Sequence, residues 1–110
     1  MTIKEILEKT GWKLVTAGLD DEREVSGVYC GDLLSWVMGN GQPGQAWITV
    51  QSHMNVIAVA SLREFPCVIL AEGASFPDDV KERAEGEDLI LIESPLPVYE
   101  TAKELMGFGL

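Results

Sequence analysis

The only histidine of the chain, His53, sits in the polar stretch Gln51-Ser52-His53-Met54-Asn55. An imidazole near pH 7 can act as a base, a ligand contact or a pH-sensitive group. A base needs a partner, and Asp32 or Ser52 is the candidate, so a His53–Asp32 acid–base pair is one chemical reading. A single histidine with no second histidine and no nearby cysteine makes a poor metal site. Three further polar clusters have the same setting: Gly31-Asp32, Glu72 to Ser75 and Glu93 to Pro95. Each follows an apolar run and precedes a helix-forming one. At a helix N-terminus, unpaired backbone N–H groups favour anions. Gly31, Asp32, Gln51, Ser52, His53, Asn55, Gly73, Ser75 and Ser94 are therefore the candidate ligand-binding residues. The plainer account is that Asp32, Ser52, Asn55, Ser75 and Ser94 each cap their own helix, because these residue types are the preferred caps.

Other motifs carry less. The loop GNGQPGQ, residues 39–45, has three glycines but no following Lys, and it comes after a helix rather than before one. It is not a phosphate loop. No GxGxxG, GxSxG or HExxH occurs, so a nucleotide-dependent kinase or dehydrogenase is not expected, and no cofactor or metal is implied. Cys30 and Cys67 form no CxxC pair and read as two small buried hydrophobes in a reducing compartment.

The elements that position these residues follow from periodicity and caps. Thr2 and Glu5 predict a capping box for a first helix that Gly11 ends. Trp12 to Ala17 reads as a strand, residues 18–22 as a turn, and Glu24 to Cys30 as a second strand by alternation. Asp32 is placed to cap the helix LLSWVMG. Ala46 to Val50 is a short β-branched run of the buried-strand kind, followed by a helix from Asn55 to Glu64 that Pro66 closes off. Cys67 to Ala71 and Asp88 to Ile92 are two more buried-type strands. Helices from Pro77 to about Glu85 and from Pro97 to Met106 follow them, and GFGL is a frayed tail. Short connections in a β-α-β-α-β-α order require a mostly parallel sheet. The expected fold class is α/β, with about five strands and helices on both faces. The first two strands are placed as a hairpin at one edge.

Length and composition set the outer bounds. The 110 residues make one domain, residues 1–110, which buries roughly 65% of its unfolded surface without staples. Eighteen acidic residues against eight scattered basic ones give a net charge of −10. That excludes a basic face for nucleic acid and disfavours an anionic membrane. No apolar leader and no run of about 20 apolar residues is present, so a cytoplasmic location is expected. Trp12, Trp36 and Trp47 read as core or interface. Trp36 with Met38 suggests a subunit contact, for which a homodimer or a higher homo-oligomer is the default.

The segments VSGVYCGDLLSWVMG, AWITVQSHMNVIAVA, CVILAEGASFPDDV and DLILIESPLPVYETAKEL together resemble the DRTGG domain. This is an α/β module similar to the N-terminal domain of HPr kinase/phosphorylase, found also in some phosphotransacetylases and beside CBS domains. The resemblance covers about residues 24 to 105. Ser52-His53 stand where the family has Asp-Arg, and Glu72-Gly73-Ala74 where it has Thr-Gly-Gly, so only Gly73 carries over. The resemblance implies a bacterial regulatory or ligand-sensing module without catalysis, acting on a protein partner. Stand-alone members resemble proteins encoded near iron-only hydrogenase genes, which implies a link to redox regulation. The combined expectation is a small anionic or nucleotide-like ligand held at the helix N-termini. The alternatives are the small enzyme using His53 and Asp32, or a purely structural interaction domain.

Overall fold

The computed structural model describes residues 1–110. A capping box starts α1 (Ile3–Thr10): Glu5 N donates to Thr2 Oγ1 at 3.1 Å, and Thr2 N donates to Glu5 Oε1 at 3.0 Å. Gly11, at φ 71°, ends it by donating to the Leu7 carbonyl. That left-handed geometry suits glycine. Next come β1 (Lys13–Leu14), β2 (Gly27–Cys30), α2 (Leu34–Asn40), β3 (Gln45–Thr49) and α3 (Asn55–Leu62). The chain ends with β4 (Cys67–Leu70), α4 (Asp78–Gly86), β5 (Ile90–Glu93) and α5 (Val98–Gly107).

The five strands form one mixed sheet in the order β1-β5-β4-β3-β2. β2 to β5 are parallel, and β1 alone is antiparallel, pairing Lys13 with Glu93 and Leu14 with Ile92. The α/β class and largely parallel sheet are as the sequence predicts. The predicted edge hairpin is not formed: β1 and β2 lie at opposite edges, with three strands between them. The long predicted first strand shortens to two residues. Beyond it, Val15 N still donates to the Leu91 carbonyl, but Ala17 N turns away to the Glu85 carboxylate. Glu24, Val25 and Ser26 also leave the predicted second strand. Val25 N donates to the Met1 carbonyl and the Glu24 carboxylate meets the N-terminal amine, which ties the chain start down.

Because β2, β3, β4 and β5 lie side by side in chain order, right-handed crossovers put α2, α3 and α4 on one face. There Val37, Val56, Ile57, Val80 and Ala84 pack on Trp47, Val68, Leu70 and Leu91. The other face is covered by α1 and α5, where Ile3, Ile6 and Leu105 meet Ala46, Ile48, Ile69, Ile90 and Ile92. Both faces are buried, so these strands read as continuous apolar runs. Cys67 is fully buried, as expected, whereas Cys30 is exposed at the end of β2. The tail is not frayed: Phe108 and Leu110 are half-buried against the second core, and Leu110 N donates to the Leu105 carbonyl.

Candidate functional site

All nine predicted site residues lie at or just beyond the carboxyl ends of the parallel strands, but they fall into separate groups. Gly31, Asp32 and Gln51 form one. Asp32 Oδ1 accepts from Thr49 Oγ1 at 2.8 Å and from Val50 N at 2.9 Å, while Gln51 Nε2 donates to the Asp32 carbonyl at 3.2 Å. The Trp47 indole N–H donates to the Gly31 carbonyl at 2.8 Å. Asp32 is thus a clasp between the ends of β2 and β3. It does not cap α2, whose start at Leu34 has no side-chain cap. Its carboxylate makes no hydrogen bond to His53, so the proposed acid–base pair is not assembled. His53 is exposed and its imidazole has no hydrogen-bond partner in the chain.

The capping account fails at the other joints too. Helices α3, α4 and α5 begin after Met54, Pro77 and Pro97, none with a side-chain cap. Ser52 is half-buried, and Asn55 and Ser75 are exposed. Ser94 is buried, but its Oγ meets Thr101 Oγ1 at 2.9 Å and accepts from Leu96 N at 3.1 Å, closing a turn rather than capping α5.

Gly73 and Ser94 form the second group, where the helices that follow two adjacent parallel strands part. α4, which follows β4, packs on the first face of the sheet, and α5, which follows β5, packs on the second. Ligands of open α/β sheets bind in crevices outside the carboxyl ends of the strands. A cavity of about 320 Å³ lies there. It is lined by Gly73 and Ala74 after β4, by Glu93, Ser94 and Pro95 at and after the end of β5, and by Gly11, Trp12 and Lys13 at and just before β1. The volume is at the small end of the range for small-molecule sites.

Of the residues that shape the cavity, Gly73 and Ser94 are predicted site residues, whereas Glu72, Glu93 and Lys13 are not. Glu72 and Gly73 are both left-handed, at φ 67° and 69°. For Glu72 that costs roughly 1–2 kcal/mol, so the surroundings must impose it. They do so by three bonds. Glu72 N donates to the Leu96 carbonyl at 2.8 Å, Gly73 N donates to the Ser94 carbonyl at 3.1 Å, and Glu72 Oε2 accepts from Val98 N in the first turn of α5 at 3.1 Å. Glu93 Oε2 accepts from Phe76 N at 2.8 Å, and its Oε1 lies 3.9 Å from Lys13 Nζ. Lys13 is 73% exposed at its side chain and is the only cation lining the cavity. The chain's own carboxylates therefore occupy backbone N–H groups that an anion was expected to use. Glu72 lies in a predicted joint, yet nothing local to it signals a partner 26 residues away.

Comparison with known proteins bears on this geometry through the fold. No family model matches the chain, and no curated protein matches it in sequence. A solved structure of the CBS and DRTGG domains of the regulatory region of Clostridium perfringens pyrophosphatase, complexed with the activator diadenosine tetraphosphate, does match. Its TM-score is 0.69 at 16% sequence identity, over 94% of this chain and 45% of that one. What is shared is the fold. The chain spans less than half the length of that regulatory region. No helix of the chain is long and apolar enough to cross a membrane.

Proposed function

We propose that the chain is a non-catalytic regulatory module that senses a small anionic or nucleotide-like ligand, with the cavity between the β4 and β5 joints as its site. The observation that carries this reading is the parting of α4 and α5 to opposite faces beside the strained backbone of Glu72. Strain of this kind persists where the surroundings over-determine it, and it clusters at ligand clamps. Lys13, long and exposed, is placed to meet an anionic group at the mouth. The −10 field of the whole chain opposes an anion's approach, so short-range contacts must supply the affinity. Gly73 and Ser94 remain site residues in this reading. Gly31, Asp32, Gln51, Ser52, His53, Asn55 and Ser75 lie outside the cavity lining. Fold likeness to a regulatory region crystallised with a nucleotide activator supports a regulatory role. The redox-regulation link rests on the sequence resemblance alone.

The test is a thermal-shift screen with mononucleotides, dinucleoside polyphosphates and inorganic phosphate. A ligand at a hundred times its Kd stabilises the fold by about 2.7 kcal/mol, and Lys13→Ala should abolish most of that shift. A flat screen at millimolar ligand would overturn the reading. It would favour a purely structural interaction domain, which the self-satisfied carboxylates Glu72 and Glu93 already suit.

A further inference from the structure

Charge is distributed unevenly along this chain. Residues 33–62, which span α2, β3 and α3, contain no Asp, Glu, Lys or Arg, although the chain as a whole carries 26 such residues. Just before them, residues 25–32 carry only Asp32, whose carboxylate is engaged with Thr49 and Val50. β2 is an edge of the sheet, so the charge-free elements gather at one end of the molecule. This end is also apolar. Helix α3, NVIAVASL, is hydrophobic nearly all round, as a helix covered on every side would be. Yet Leu62, its last residue, is 65% exposed, and Trp36 and Leu33 on the neighbouring α2 side are 64% and 67% exposed. Between α2 and α3 runs a groove of about 320 Å³, lined by Leu34, Met38, Ala58 and Val59 among others.

We propose that this α2–α3 face is where a second copy of the chain docks, in a twofold dimer. The proposal is independent of the ligand cavity. Leu33, Trp36, Met54 and Leu62 together offer roughly 500 Å² of apolar surface, near the upper limit for the largest patch on a monomer. With its polar rim the face approaches the ~800 Å² per partner of a standard interface. Electrostatics selects the occupant. Two copies at −10 repel, and contact through the charge-free end keeps their carboxylates farthest apart. A basic partner would be drawn instead to the charged elements. Ridge and groove lie on the same face, so a twofold axis lets Trp36 of each copy lodge in the α2–α3 groove of the other. The other exposed apolar side chains of a helix, Tyr99 and Met106 on α5, are interleaved with Glu100, Lys103 and Glu104 and lack this property.

Sedimentation of the full chain from micromolar to submillimolar concentration tests the proposal. A monomer–dimer equilibrium is expected, tightening several-fold between about 0.05 and 0.5 M salt as repulsion is screened. Trp36→Glu and Ala58→Glu should each weaken it at least about tenfold, as buried charge at an interface centre does, with circular dichroism confirming the fold. Leu62→Glu stands in if Trp36→Glu does not fold. Met106→Glu should leave association unchanged. A monomer at all concentrations, a dimer indifferent to the α2–α3 variants, or one abolished by Met106→Glu would overturn the assignment.

Discussion

The joints after β2 and β3 and the joints after β4 and β5 are made of similar residues, yet they do different things. In the first pair both following helices run onto the same face of the sheet, so the two joints lie side by side and Asp32 clasps them. In the second pair the helices leave for opposite faces, a cavity opens, and Glu72 and Glu93 brace its walls. The first pair holds the conspicuous residue, His53, and the second pair holds the cavity. In the proposed reading the site lies where the helices diverge, not at the joint that carries the most reactive side chain.

The largest test of that contrast is Glu93→Ala. Glu93 is only 12% exposed and is the partner of Phe76 N, so its loss should cost about 2 kcal/mol in a urea titration and abolish any ligand-induced shift. Asp32→Ala removes two bonds, but from an exposed residue whose partners can turn to water. About 1 kcal/mol is expected there, with ligand response retained. Equal costs, or loss of response in the Asp32 variant, would break the distinction between the joints.

The two cysteines sharpen it by pH. Partial desolvation of its sulfur, with the Asp32 carboxylate adding to it, raises the Cys30 thiol although the residue is exposed overall. Complete burial pushes Cys67 in β4 up to about 12, from 9.0 for a free thiol. The folded chain therefore keeps a proton on Cys67 that the unfolded chain releases first. That contribution is intact below about pH 9 and is lost as pH rises toward the folded value, with a slope approaching 1.4 kcal/mol per pH unit at most, roughly. Cys67→Ala should flatten this alkaline slope in stability measured against pH, and Cys30→Ala should leave most of it. The smallest effects belong to the exposed side chains. Lys13→Ala and His53→Ala should each stay within about 0.5 kcal/mol of the parent in stability. Calorimetric titration should separate them, with affinity lost in the Lys13 variant and kept in the His53 variant.

Much of this protein was legible along the chain. The Thr2–Glu5 capping box, the Gly11 stop and the apolar runs at β3, β4 and β5 depend on residues a few positions apart, and periodicity reports such relations directly. The crossovers of a β-α-β-α-β order force parallel pairing, so the sheet class followed as well. Other features rest on partners outside the reach of local cap and period rules, most of them distant in sequence. Asp32, Ser94 and Glu72 have the chemistry of caps, and local preference assigned the first two that role. Their actual partners are Thr49, Thr101 and Val98, brought within reach only by packing. The edge position of β1 depends on pairing Lys13 with Glu93, which no local signal encodes. The sequence by itself determined the elements and their two buried faces, because hydrophobic period and caps act over one or two turns. Tertiary structure alone decided which joint opens into a cavity and which carboxylates brace it. Those outcomes turn on the face each helix takes after its strand, a choice made by the whole sheet.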